Sequence, residues 1–207
     1  MIAAFRSPLV LARQAAALDR LSEGRLILGL GVGWMAEEFR AAGVPMKERG
    51  RRTNELIELL RQLWDNSNPD FRGWFTEFPE IQFEPKPVQK RVPIWIGGMS
   101  DAAIRRVAKY GDGWTPMSLE PKQLRESIEF IRQELHRHQR QLQDIAIFYS
   151  GSFEGKTDVL RMRHDLETYQ KLGITHFSPI FRYNKVGEMI DQMKIFANEV
   201  IVPYHSE

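Results

Sequence analysis

The sequence predicts an α/β fold in which parallel strands and helices alternate along one domain, residues 1–207. Short β-prone runs and longer amphipathic segments follow one another from one end of the chain to the other. Such alternation is typical of a parallel sheet with right-handed crossovers, either doubly wound or closed as an eight-stranded barrel. Residues 2–5 are apolar and run directly into a helix, as the end of a buried strand does. This favours an incomplete TIM (β/α)8-type barrel, with about six strands present and the first two strands missing.

In the first half of the chain, the first helix is expected to begin at Ser7 and Pro8. Proline is tolerated at the first helical position, and serine can cap the turn before it. A strand is predicted over residues 25–30 and a strongly periodic helix over residues 48–65. An aromatic, glycine-containing excursion, residues 71–84, is then inserted before two prolines.

In the second half, each predicted strand leads into a helix. The predicted strands are the run that ends at Gly97-Gly98 and residues 113–115, 145–149 and 176–181. The predicted helices are one behind Ser100 that ends at Gly111, one over residues 121–141, one from Val159 that ends at Gly173, and one over residues 186–200.

Composition excludes several classes of function. Lys and Arg number 29 against 27 Asp and Glu, so the net charge of +2 gives no reason to expect nucleic acid or an acidic membrane as partner. Cysteine is absent, which excludes disulfides, thiolate metal sites and cysteine nucleophiles. The five histidines lack metal-ligand spacing, so no metal site is predicted. No apolar run is long enough to span a bilayer, and we expect a cytoplasmic protein.

The turn at residues 97–100 is the strongest functional signal. Gly97 and Gly98 let the backbone come close to a ligand, and Ser100 stands where a helix cap belongs. The first N–H groups of the following helix would then point at an anion, as in many phosphate sites. The alternative is a bare structural turn, because paired glycines after a strand are common.

Two other patterns are weaker. The run Gly29-x-Gly31-x-Gly33 lacks the third glycine of a dinucleotide fingerprint at the required offset, and no acidic ribose ligand follows a next strand. Asp112 stands between glycines, where a general base could lie. We expect instead that its carboxylate caps local backbone N–H groups in a tight turn.

Several blocks, taken together and in order, resemble the luciferase-like monooxygenase superfamily, and most closely its branch of F420-dependent oxidoreductases. The blocks are residues 18–34, 37–39, 43–45 and 48–52, then residues 85–89, Pro93-Ile94-Trp95-Ile96-Gly97-Gly98 and Gly111-Asp112-Gly113-Trp114, and finally residues 196–203. The resemblance covers essentially the whole chain. It implies a TIM-type barrel that binds FMN or coenzyme F420 and transfers a hydride or, in flavin members, activates oxygen.

The resemblance also implies a cofactor site. Carried over by position, Gly97, Gly98 and Met99, next to Ser100, would offer backbone N–H groups to the cofactor phosphate. The ring-side candidates are Val32 and Gly33, which would lie against the ring, and Trp114, which would form a wall of the site. No catalytic residue is identified.

Two charged residues are candidates for contact with the small-molecule substrate. Glu38 follows the ring-side glycine at the start of a helix and could reach the cofactor mouth, although capping of that helix explains at least one of Glu37 and Glu38. Arg182 follows the last strand on the catalytic side and could meet an anionic substrate or cofactor tail. Arg25, on the opposite side, is expected to pair with Asp19.

The chain departs from the family in one respect. Family members carry further residues before the block that begins at Ser7, and these supply the first strands. An open barrel would expose strand edges and apolar interior, so we expect a homodimer or other homo-oligomer. Trp74, Phe75 and Phe78 are either a lid or a dimer contact.

Two alternatives to an oxidoreductase stay open: a non-catalytic flavin-binding or structural protein, and a barrel isomerase or lyase acting on a phosphorylated substrate.

Overall fold

The computed structural model of the protein describes residues 1–117 and 119–204. Its strands are β1 (Leu28–Leu30), β2 (Phe71–Arg72), β3 (Glu77–Phe78), β4 (Ile94–Gly97), β5 (Gly113–Thr115), β6 (Ala146–Phe153) and β7 (His176–Phe181). Its α-helices are α1 (Pro8–Leu21), α2 (Ala36–Ala41), α3 (Arg49–Asp65), α4 (Asp101–Tyr110), α5 (Pro121–Arg137), α6 (Val159–Leu172), α7 (Val186–Phe196) and α8 (Val202–Tyr204). A π-helical segment, Ala197–Ile201, joins the last two helices.

Five of the strands form one parallel sheet in the order β1-β4-β5-β6-β7. Ile2 makes an isolated parallel bridge to Gly31, and the Ala3 N–H donates to the Gly31 carbonyl at 3.0 Å. The first residues thus occupy a sixth strand position along the edge of β1. Within the described residues nothing pairs this edge with β7, so the barrel is not closed. The expected incomplete barrel with about six strands is confirmed.

The outer face of the sheet is buried under helices. Leu30, Ile94 and Ile96 point to this side and are at most 1% exposed. They pack with α1, α3, α4 and α5 in the main core, where the indole N–H of Trp64 donates to the Ala12 carbonyl at 3.1 Å. Because side chains alternate along a strand, the other residues of each strand face the barrel interior. This inner face is only partly covered.

The excursion is fastened to α3. The Glu55 carboxylate accepts the backbone N–H of Trp74 at 2.6 Å and that of Phe75 at 3.0 Å. The Arg52 guanidinium lies over the Phe75 ring, 4.1 Å from its centroid. Trp74 itself stays 87% exposed. The β2–β3 hairpin is therefore held along the outside of one helix.

The last long helix turns an apolar stripe outward. Val186, Ile190 and Met193 recur at helical spacing and are all exposed. On the inward side Phe196 is buried against Phe153, with ring centroids 5.1 Å apart. A solvent-facing apolar stripe is typical of a surface that contacts another polypeptide.

Among the described residues, no helix combines the length and apolar character needed to cross a bilayer.

Several predicted boundaries differ from the structure. The first predicted strand is shorter, because ladder pairing begins only at Leu28, whose N–H donates to the Pro93 carbonyl. The helix predicted to reach residue 141 ends at Arg137, since Gln139 takes a positive φ of 56°. The strand predicted over residues 145–149 continues to Phe153. Ser7 stands at the N-cap of α1, but its side chain makes no capping hydrogen bond.

Candidate functional site

The corner at Gly97–Ser100 lies where β4 ends and α4 begins, at the carboxyl end of the parallel strands. Gly98 has φ 118°, a conformation that favours glycine. Ser100 caps α4 as predicted, because its side chain accepts the Ala103 N–H at 3.3 Å. Within the described residues, the backbone N–H groups of Met99, Ser100 and Asp101 have no hydrogen-bond acceptor. The corner can therefore donate several hydrogen bonds to an anion.

The corner is open to solvent and held from behind. Met99 is 42% exposed. Trp114 is fully buried, and its indole N–H donates to the Gly98 carbonyl at 2.8 Å. The sequence predicted Trp114 as a wall of the cofactor site. In the structure its ring lies in the core behind the corner, where it orients the turn.

Glycines leave room on the inner face beside this corner. A Cβ atom added at Gly29 would meet nothing within 4 Å, and one at Gly97 would meet only backbone atoms, the nearest 3.6 Å away. Gly31, next along β1, has only the Met1 carbonyl at 3.9 Å. No side chain of the described residues fills this space. A ligand ring could approach the backbone there.

Position 33 requires glycine because of its backbone conformation and its close packing, not because it leaves open space. It has φ 79°, and an added Cβ would lie 2.9 Å from a Phe39 ring carbon and 3.1 Å from the Ile2 side chain. The neighbouring Val32 is partly exposed after the end of β1. Packing within the chain thus accounts for the glycine at this position. Contact of Val32 and Gly33 with a cofactor ring stays a prediction.

An aromatic cluster lies on the inner face beside and below Gly97. The ring of Trp95 lies 4.9 Å from that of His176 and 6.0 Å from that of Phe148, measured between centroids. Trp95 covers Gly113 so closely that a Cβ there would overlap the indole. We call these three rings the aromatic floor. They form an apolar and aromatic surface on the inner face next to the glycines.

The two predicted substrate-contact residues lie at the rim. Glu38 is exposed in the first turn of α2. Arg182 follows β7 directly, is exposed, and lies 3.9 Å from the Glu154 carboxylate. Both positions are at the carboxyl side of the sheet, like the corner, but within residues 1–117 and 119–204 no hydrogen bond or ion pair links either side chain to the corner. Their role toward a substrate stays a prediction.

Asp112 and Asp19 hold the opposite end of the sheet together. Asp112 accepts the Ile94 N–H at 2.8 Å and forms ion pairs with Arg61 and Arg91. It is not placed as a general base, and its backbone partner lies on the neighbouring strand rather than in a local turn. The predicted pair of Arg25 with Asp19 is wrong.

Asp19 is instead fully buried and accepts the backbone N–H groups of Val88 at 2.7 Å and Gln89 at 2.9 Å. Burial alone would raise the pKa of this carboxyl. The hydrogen bonds from Gln89, Val88 and Leu26 outweigh it, and the pKa lies below the ordinary value of 3.8.

Comparison with known proteins identifies the family. A family model described as luciferase-like monooxygenase matches residues 1–159. The chain belongs to this family. It is 36% identical over 111 residues to an FMNH2-dependent dimethylsulfone monooxygenase of Pseudomonas putida, a match that covers 52% of this chain and 31% of that protein.

Solved structures show the same fold for this luciferase-like protein. The monooxygenase RslO1 from Streptomyces bottropensis superposes with a TM-score of 0.82 at 20% identity, over 99% of this chain and 76% of that one. An F420-dependent secondary alcohol dehydrogenase in complex with an F420-acetone adduct gives 0.77 at 18% identity, over 94% and 74%. The curated relatives are longer, and the matches span less than half of their length.

The residues of this luciferase-like protein fit a phosphate-bearing ring cofactor. The free N–H groups of Met99 and Ser100 suit a phosphate, and the space beside Gly97 suits a flat ring. Sequence reasoning missed the aromatic floor. The signal was present in the alternation of β6, where Phe148 and Ser150 face one side and Ile147 and Tyr149 the other.

Proposed function

We propose that this luciferase-like protein is an oxidoreductase that holds FMN or F420 at the barrel mouth and acts on a small organic substrate. The reaction would be hydride transfer or, with a flavin, monooxygenation. When bound, the ring supplies the redox chemistry. The chain's own residues bind its phosphate, support its ring and hold the substrate at reacting distance.

The open corner at Gly97–Ser100 carries the proposal. Three neighbouring N–H groups, for which the described part of the chain offers no acceptor, lie at the carboxyl ends of parallel strands, where such barrels bind ligands. The FMNH2-dependent relative and the F420-dependent structural neighbour support these two cofactors. Both need one phosphate anchor and room for a flat three-ring system.

Titration with FMN and with F420, followed by absorbance and fluorescence, tests the proposal. Gly97→Ala is the informative variant. The chain tolerates a Cβ at this position, but the methyl group would project into the space kept for the ring. We expect a folded protein with cofactor affinity lowered roughly ten-fold, about 1.4 kcal/mol. Gly187→Ala is the matched control, because a Cβ there is also accommodated, with nothing within 4 Å, and the residue lies on α7, away from the corner.

The same titration separates the alternatives. Binding of either cofactor without turnover in the presence of a reductant would indicate a non-catalytic cofactor-binding protein. Binding of a sugar phosphate, with no binding of FMN or F420, would indicate a barrel isomerase or lyase. Equal cofactor affinity in Gly97→Ala and the unmodified protein would contradict the assignment of the site to this corner.

A homodimer or other homo-oligomer is the second part of the proposal. The outward stripe of α7 and the unpaired edge of β7 are adjacent, since Ile180 and Val186 lie on either side of the loop that joins them and both are exposed. Apolar surface next to an unpaired strand edge favours association. A two-fold contact between copies would cover both.

A further inference from the structure

Three hydroxyl side chains face the barrel interior on neighbouring strands. Ser150 of β6 and Ser178 of β7 are paired in register. Thr115 of β5 is on the same face, because it follows Gly113 by two residues and Gly113 lies under the inward-facing Trp95. All three residues are partly exposed. We call them the hydroxyl row.

No group among the described residues bonds to these hydroxyls. Throughout residues 1–117 and 119–204, the side chains of Thr115, Ser150 and Ser178 make no hydrogen bond. Interiors of parallel barrels are usually filled by branched apolar side chains. The serines' sequence neighbours Tyr149 and Phe177 point to the outer face of the sheet, where they pack in the main hydrophobic core. Hydroxyls on the inner face therefore suit a polar ligand better than they suit the core.

The hydroxyl row begins beside the corner and leads away from it. Thr115 is the register partner of Gly97. Ser150 and Ser178 lie on the next two strands, two residues further toward the carboxyl end than the floor residues Phe148 and His176. By register Thr115 is level with Phe148, so Ser150 and Ser178 stand two residues further along their strands than Thr115 does. With strands about 4.8 Å apart and a rise of about 3.3 Å per residue, Ser178 lies roughly 14 Å across the sheet and roughly 7 Å along it from Gly97. A ring anchored by its phosphate at the corner would lie above the aromatic floor and present its far edge to the row.

We propose that Thr115, Ser150 and Ser178 bind the edge of the ring cofactor that carries alternating carbonyl and N–H groups. A hydroxyl can donate to a carbonyl and accept from an N–H, so a row of three complements such an edge. The oxidised flavin and deazaflavin rings both end in this pyrimidine-dione edge. The assignment rests on the proposed function and adds a second set of contacts to the phosphate corner.

The test compares the double variant Ser150→Ala/Ser178→Ala with the unmodified protein. FMN and F420 affinities are measured by fluorescence titration, and inorganic phosphate is added as a competitor that occupies the corner alone. We expect cofactor affinity to fall by roughly ten-fold or more. Because the cofactor is then held more weakly, less phosphate should be needed to displace it, in proportion to the lost affinity. The inhibition constant of phosphate itself should not change, since the corner is intact. Ser127→Ala removes a hydroxyl on α5, outside the barrel, and should change neither quantity.

A second double variant, Ser150→Thr/Ser178→Thr, keeps both hydroxyls and should bind cofactor more tightly than the alanine variant. Equal cofactor affinity in the alanine variant and the unmodified protein would overturn the hydroxyl row while leaving the proposed function in place. Failure of the unmodified protein to bind FMN or F420 would overturn both. Melting temperatures of all variants show that each comparison is made between folded proteins.

Discussion

The indole N–H of Trp114 donates to the carbonyl oxygen of Gly98 at 2.8 Å. A fully buried side chain on β5 thereby holds the turn that follows the neighbouring strand. The peptide unit of Gly98 is oriented with its oxygen toward the core, and the next N–H groups along the chain, those of Met99 and Ser100, have no acceptor in the part of the chain that the structure describes. The shape of the corner thus depends on a residue that no ligand would touch.

Trp114→Phe should weaken both the fold and the corner. Loss of the hydrogen bond and of side-chain volume is expected to lower the free energy of unfolding by about 1–3 kcal/mol. Cofactor affinity should fall as well, because the Gly98 peptide is no longer held. Trp64→Phe is the matched control, since Trp64 is also buried and donates to a backbone carbonyl, that of Ala12. In urea titrations Trp64→Phe should lower the free energy of unfolding by a similar amount, but its cofactor affinity should be unchanged.

Asp19→Asn should destabilise the protein in a pH-dependent way. The folded pKa of Asp19 lies below 3.8, so its carboxylate contributes fully above that pH, and the contribution is lost as pH falls through the folded pKa. At pH 7 we expect a loss of about 1.5–3 kcal/mol, typical of hydrogen bonds to a charged group. Unfolding curves should converge with those of the unmodified protein at low pH. Asp70→Asn, on an exposed carboxylate, should cause no comparable loss of stability at pH 7.

Glu55→Ala should release the excursion from α3. The N–H groups of Trp74 and Phe75 lose their acceptor, at a cost of about 1–3 kcal/mol. Limited proteolysis should then cut within residues 71–84 faster than in the unmodified protein. Glu58→Ala, one turn along on the exposed side of the same helix, provides the comparison. Equal cleavage rates in the two variants would show that Glu55 does not hold the hairpin.

Ile190→Glu should disrupt association of the protein with itself. The substitution places a charge in the centre of the outward stripe of α7, next to Val186 and Met193, where a partner would have to bury it. Sedimentation velocity at micromolar concentration should show a shift toward monomer. Leu160→Glu alters a single exposed residue on α6 and should leave the distribution unchanged. A stable monomer of the unmodified protein would contradict the homo-oligomer.

The fold was largely predictable from the sequence because most of its helices and strands end at residues, such as glycine and proline, that are recognisable locally. The strands at residues 113–115 and 176–181 have the predicted bounds, since Gly111 precedes the first, Pro116 follows it, and Gly173 ends the helix before the second. The end of α5 was not predictable in the same way. Its chain reversal uses a positive φ at Gln139, a residue type that gives no turn signal.

The geometry of the candidate site was predictable only where consecutive residues form it, and its binding role stays a prediction. The corner at Gly97–Ser100 is formed by consecutive residues, and its cap and exposure agree with the prediction. Contacts between distant segments were not visible in the sequence. Asp19 binds N–H groups about 70 residues away, and the role of Trp114 behind the corner depends on strand register.

The close contact between Trp95 and Gly113 ties two positions of the sequence to each other. Any side chain at position 113 would occupy the volume of the indole, so a bulky aromatic residue at 95 is compatible only with glycine there. Single replacements of Gly113 should be poorly tolerated, whereas Gly113→Ala combined with a smaller residue at 95 should be accepted. A small residue at position 95 would free position 113 on the neighbouring strand to vary, and the depth of the barrel interior would change with that choice.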